Sequence, residues 1–85
     1  MDSVRRVGYY DFKAYTEHLT SGRFQGFVLV RHHLMTGTVQ TVFRAGRPMR
    51  LEEEAFALAE GKLSKLAMLA SEAPGRWRGG LPRAA

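Results

Sequence analysis

No cysteine occurs among the 85 residues. That excludes disulfides, thiolate zinc sites and cysteine nucleophiles together, and it fits a reducing compartment. Long apolar runs are missing as well: none approaches the ~20 residues that a membrane helix needs. The opening Met1-Asp2-Ser3-Val4-Arg5-Arg6 is not followed by the apolar stretch of a signal peptide. A cytoplasmic protein with no membrane partner is therefore the expectation. Acids are scarce, with 8 Asp and Glu against 13 Lys and Arg, for a net charge of +5 with His neutral. The chain also has no Gly-rich phosphate loop, no GxSxG and no HExxH. A convergent set of titratable groups is hard to assemble from so few acids. The reading is non-enzymatic, with no cofactor, no metal site and no small-molecule substrate.

What is present makes one small domain. The chain is organised around two strand-like runs, Arg23–Arg31 and Thr38–Arg44, both heavy in β-branched and aromatic residues. The segment His32–Gly37 between them is too short for a helix, so the pair reads as a hairpin. Gly37 suits a positive φ at its turn. Before it, Tyr10, Phe12 and Ala14 alternate with Tyr9, Asp11, Lys13 and Tyr15, which argues for a strand through about Tyr15. A helix over Phe12–Leu19 competes, because Phe12, Tyr15 and Leu19 fall at helical spacing. The strand is preferred, with Thr20-Ser21-Gly22 as the turn that follows. Residues 1–6 read as frayed. In the second strand, Gly26 marks a bulge or a place where another backbone comes close. Ala45-Gly46-Arg47-Pro48 is expected to end the third strand.

Leu51–Ala70 reads as a helix. Phe56, Ala59, Leu63, Leu66, Ala67 and Ala70 form one stripe, widened by Leu51, Ala55 and Leu58. Glu52-Glu53-Glu54 suit its first turn, although Met49 and Arg50 cannot cap it. Gly61 costs about 1 kcal/mol relative to Ala, and a close approach of helix to sheet would explain its presence. Pro74-Gly75 stops the helix. The expected fold is α+β in the order β-β-β-α, a three-stranded antiparallel sheet with one C-terminal helix packed on one face. Residues 1–70 would form that domain and 71–85 a flexible basic tail. In the tail, Arg76-Trp77-Arg78-Gly79-Gly80 interleaves arginine with an aromatic, as segments that bind RNA or single-stranded DNA do. A solubilising tail is the plainer reading.

Charge is unevenly placed. Residues 1–50 carry eight Lys and Arg against Asp2, Asp11 and Glu17, whereas residues 51–70 carry Lys62 and Lys65 against four Glu. A basic strand half can steer a polyanion to the sheet. The face away from the helix would present Lys13, Tyr15, Arg23, Gln25, Arg31 and Arg44, with Gln40 and Tyr9 beside them. Arg and Gln can read base edges, and Lys and Arg neutralise phosphates. His18, His32 and His33 are the candidate bases or ligands. His32 and His33 are neighbours on a strand, so they point to opposite faces and cannot readily share a metal.

The run from Gly22 through Phe24, Val28 and Phe43 to Glu53, Glu54, Ala55 and Ala59 resembles the β-β-β-α pattern of AP2/integrase-type DNA-binding domains. The resemblance covers about residues 9–67. It implies a sheet laid in a DNA major groove, with Arg23, Gln25, Arg31 and Arg44 as contacts. The expected partner is DNA or RNA. The alternative is a protein–protein or self-association module, through an apolar patch of Phe27, Leu29 and Val42 or an open sheet edge.

Overall fold

A computed structural model describes residues 2–72. The expected tail, with its Arg76-Trp77-Arg78 motif, lies outside the described residues. The chain is α+β, with an antiparallel sheet followed by one C-terminal helix. The strands are β1 (Asp2–Val7), β2 (Tyr10–His18), β3 (Phe24–Leu34) and β4 (Gly37–Met49), and the helix is α1 (Glu52–Glu72). Strand order in the sheet is β1-β2-β3-β4, a meander in which each strand pairs with its neighbour in the chain.

The sheet thus has four strands where three were expected. The segment read as frayed is β1, paired along its whole length from Asp2↔Tyr15 to Val7↔Tyr10. Its side chains hide this, because an edge strand with mostly exposed residues needs no apolar alternation. The signal lay in the connection. Val7↔Tyr10 leaves only Gly8 and Tyr9 in the loop, and Gly8 has φ +57° while Tyr9 has an ordinary negative φ. A two-residue loop with Gly first is a II′ hairpin turn, whose twist matches the strands it joins. The preference for strand over helix at β2 holds, and that strand runs on to His18.

The third expected strand does not stop at Arg44. As β4 it continues through Ala45, Gly46, Arg47 and Pro48 to Met49. Phe24 pairs with Met49 and Gly26 with Ala45, so Gln25 alone faces the three residues Gly46, Arg47 and Pro48. The sequence that looked like a stop is a bulge. Proline is tolerated there because β4 is an edge strand and the bulge needs no ladder donor.

Between sheet and helix lies the core. Phe12, Ala14, Val28, Val30, Phe43 and Ala45 meet Ala55, Ala59, Leu63, Leu66, Ala67 and Ala70. Most of the expected helical stripe is buried. Phe56 is half-buried, while Leu51 and Leu58 are exposed. The buried residues of α1 are mostly alanine, so its backbone lies close to the sheet. The closest approach is at Gly26, which opposes Ala55 and Ala59: a Cβ there would collide with the Ala55 carbonyl oxygen and sit 3.2 Å from the Ala59 Cβ. Gly61, to which that role was assigned from sequence, has open space around it and faces solvent. At the helix start, the Ala55 N–H donates to the Leu51 carbonyl at 3.2 Å, and Thr16 Oγ1 on β2 donates to Glu52 Oε2 at 3.0 Å. That bond pins the first turn of α1 to the sheet.

Two glycine substitutions therefore have opposite expected signs. Gly26→Ala forces backbone to move and is expected to destabilise by at least about 2 kcal/mol. Gly61→Ala meets nothing and is expected to stabilise by about 0.5–1 kcal/mol. Urea unfolding of both variants against the parent checks the pair. Equal effects would mean that the helix does not rest on β3 at Gly26.

Candidate nucleic-acid interface

α1 covers one face of the sheet, and the other face is open. Register places Asp11, Lys13, Tyr15 and Glu17 of β2 on the open face, opposite Arg31, Leu29, Phe27 and Gln25 of β3. Arg44 of β4 lies opposite Phe27, Val42 opposite Leu29, and Gln40 opposite Arg31. The middle of this face is apolar. Tyr15 and Phe27 stack with ring centroids 5.4 Å apart and planes at 20°, and Val42 beside Leu29 is 46 % exposed. Burial, and then the Glu17 carboxylate, raise the Tyr15 phenol above its ordinary value, so it remains a neutral hydroxyl at physiological pH.

Cations and acids divide across the sheet. On the β1–β2 side they neutralise one another: Arg6 Nε lies 3.3 Å from Asp11 Oδ1, and Lys13 Nζ lies 3.8 Å from Asp2 Oδ2. On the β3–β4 side no Asp or Glu occurs between Glu17 and Glu52, whereas Arg23, Arg31, Arg44, Arg47 and Arg50 do; of these Arg31 lies across from Asp11 of β2. Arg31 Nε donates to Gln40 Oε1 at 3.3 Å, which holds its guanidinium along β4 and leaves its other donors outward. Arg23, Arg31 and Arg44 are all exposed. Positions 27 and 31 share one side of β3 and Arg44 sits opposite 27, whereas Arg23 precedes β3. Arg44 and Arg31 thus lie roughly 13 Å apart along the hairpin, at ~3.3 Å per residue.

Of the six residues singled out from sequence, Tyr15, Arg31 and Arg44 share this face beside the apolar centre, and Arg23 lies at its end. Lys13 shares it too but is held by Asp2. Gln25 does not reach the surface. It is 3 % exposed, and its Nε2 lies 3.0 Å from Gly26 O, 3.3 Å from Ala45 O and 3.0 Å from Gly46 O. Two amide hydrogens serve three carbonyls, one on β3 and two at the bulge of β4. Alternation alone put Gln25 on the outer face; the bulge closes over it. Sequence reasoning passed over Arg47 and Arg50, which flank the bulge, because residues 45–48 read as a strand end.

The histidines also separate. His32 stacks on Tyr10 on the helix side, with centroids 4.1 Å apart and planes at 12°, and His18 stacks on Phe24 at 4.6 Å. His33 is on the open face, with Nε2 2.6 Å from Asp11 Oδ2 and Nδ1 3.2 Å from Thr38 Oγ1. A carboxylate only accepts, so Nε2 carries the proton; in the neutral ring Nδ1 then accepts from the Thr38 hydroxyl. Among the described residues no group of three His, Asp or Glu is placed to hold a metal ion. No described helix is long and apolar enough to cross a membrane.

No protein-family model, curated protein or solved structure matches the chain. The likeness to AP2/integrase-type domains rests on the residues quoted for it, and the four-stranded sheet departs from the three-stranded pattern that it implies.

Asp11 is the hub of the cluster that ties β1, β2 and β3 together. The hydrogen bond from His33 holds its carboxyl below the ordinary carboxylate value, and Arg6 and Arg31 act in the same direction. Its folded value lies below the unfolded 3.8, so the stability it contributes is present above pH ~4 and is lost as the pH falls through the folded value. Asp11→Asn is expected to flatten the fall in unfolding midpoint between pH 5 and 2, as read by urea denaturation at each pH. An unchanged acid limb would remove Asp11 as a contributor.

Proposed function

We propose that the chain is a non-enzymatic domain that binds DNA or a related nucleic acid through the open face of its sheet, along the β3–β4 hairpin. The observation that carries this reading is the row Arg31, Arg44 and Arg23 on a stretch without any carboxylate, beside the stacked Tyr15–Phe27 pair. Arginines held in no salt bridge among the described residues attract a polyanion, and their planar forks match phosphate oxygens. A two-stranded ribbon fits the ~12 Å width of a major groove, whereas a sheet of four strands spans about 14 Å between its outer strand axes. The edge hairpin, which carries the arginines, is thus the part suited to enter. Phosphate contacts from Arg31 and Arg44 fix the position of the nucleic acid, and Tyr15, across Phe27 from Arg44, offers a neutral hydroxyl and ring edge.

A second reading, association between copies, is favoured by the apolar centre of the same face. Phe27 and Leu29 are only half-buried, Val42 is exposed, and Val4 on β1 is 68 % exposed. Copies joined this way would bury the residues that a nucleic acid would otherwise meet.

The two readings differ in salt dependence. Fluorescence anisotropy with a labelled 20-base-pair duplex, titrated at several salt concentrations, is expected to show binding that weakens steeply as salt rises. Arg31→Ala and Arg44→Ala are each expected to lower the log–log salt slope by about 0.9 and to leave the unfolding midpoint unchanged. Parental affinity and slope in both variants would remove this face from the interface. A dimer that persists in 1 M salt, with no duplex binding at low salt, would establish association instead.

A further inference from the structure

Beyond the sheet face, at the end of the arginine row, the bulge of β4 and the turn before β3 enclose a notch of about 630 Å³ lined by Arg23, Arg47, Pro48, Met49, Arg50 and Glu54. We infer that this notch is a binding site for a phosphate group, distinct from the face that Arg31 and Arg44 define.

Charge is the first reason. Three guanidiniums and one carboxylate line the notch, an excess of two positive charges. Among the described residues none of the three arginines lies within ion-pairing distance of a carboxylate. A phosphomonoester or pyrophosphate group supplies the missing negative charge, and arginine forks bind its oxygens in pairs.

Rigidity is the second reason. The backbone that carries each arginine is fixed. The Arg23 carbonyl accepts from the Leu19 N–H at 2.8 Å, while the Gly22 N–H donates to the Leu19 carbonyl at 3.0 Å, closing the turn before β3. Arg47 lies between Gly46, with φ +69°, and Pro48, whose ring fixes its own φ. Gln25 fills the bulge beneath it and bonds the Gly46 carbonyl. Leu58 of α1 closes the other side, since a Cβ on Gly46 would come within 2.8 Å of its Cδ1. Arg50 is held between β4 and the first turn of α1. Gln25 is buried on the inner strand β3 and bonds two carbonyls of the edge strand β4 at the bulge; there it holds open the loop that presents Arg47. Gln25 is a positioning residue for the notch.

The group bound can belong to a free phosphoanion or to a nucleic acid, and two probes separate these. The ¹⁵N-labelled protein is titrated with inorganic pyrophosphate, against sodium chloride of matched ionic strength, and with a short oligothymidylate with and without a 5′-phosphate. Saturable pyrophosphate shifts are expected at Arg23, Gly46, Arg47, Met49, Arg50 and Glu54, and not with chloride. Arg47→Ala/Arg50→Ala is expected to weaken pyrophosphate at least tenfold, and Arg31→Ala to leave it unchanged. Gln25→Met is expected to weaken pyrophosphate while Arg31-dependent oligonucleotide binding survives, a split that general destabilisation would not give. Tighter binding of the 5′-phosphorylated oligonucleotide would assign the notch to a nucleic-acid end; equal binding would assign it to free phosphoanions. Shifts no greater than those with chloride, or unaltered in the double variant, would overturn the site. Oligonucleotide binding without pyrophosphate binding would remove the notch and leave the sheet face standing, and the reverse would do the opposite.

Discussion

A missing side chain sets the geometry of this molecule. At Gly26 the backbone of β3 meets the helix backbone at Ala55 with no room for a methyl group between them. That contact fixes the height of α1 over the sheet, and the height in turn selects what fills the layer: alanines at 55, 59, 67 and 70, with Leu63 and Leu66 among them. Phe12, Val28 and Val30 are the largest fully buried side chains from below, with Phe43 and Tyr10 beside them. The register shift of β3 falls at the same place, between Phe24 and Gly26, so the residue that admits the helix also borders the bulge. Close packing and local irregularity are thus one feature, because a backbone that must approach another backbone gives up regular pairing on its far side.

Sequence pattern revealed the elements with strong side-chain periodicity. The helical stripe from Ala55 to Ala70, the alternation Tyr10-Phe12-Ala14, and the faces of Val28 and Val30 against Phe27 and Leu29 were all legible, since burial imposes those periods directly. β1 was not, because it is held mainly by backbone pairing at an edge and carries Arg5 and Arg6 with only two valines. Its one clue was a Gly in a two-residue turn. The extension of β4 was hidden for a related reason. Gly46 and Pro48 are ordinarily punctuation, and only the partner strand shows that they bulge instead of stopping. Gln25 illustrates the cost of assuming strict alternation: a single bulge turns an outward residue into a buried one.

The candidate site was legible as composition and less so as position. Arginine excess in the strand half pointed to the β3–β4 hairpin as the candidate. Which arginines stand clear of salt bridges depended on the placement of acids across the sheet, where Asp2 and Asp11 pair with Lys13 and Arg6 on one side and only Asp11, opposite Arg31, faces the other. The charge asymmetry is therefore finer than a basic sheet opposed to an acidic helix. It runs across the sheet, from a balanced β1–β2 edge to an unbalanced β3–β4 edge, and the polar network around His33, Asp11 and Thr38 lies between the two.

The meander also bears on how the chain reaches this state. Strand order equals chain order, so every pairing in the sheet is a hairpin between neighbours, closed by a short loop and needing no distant segment. During synthesis all four strands emerge before the helix. The face of Phe12, Val28, Val30 and Phe43 is then paired but uncovered, and its protection waits on the twenty-one residues of α1. The hydrogen bond from Thr16 to Glu52 ties the first turn of that helix, the first of its turns to be synthesised, to β2 beside Gly26.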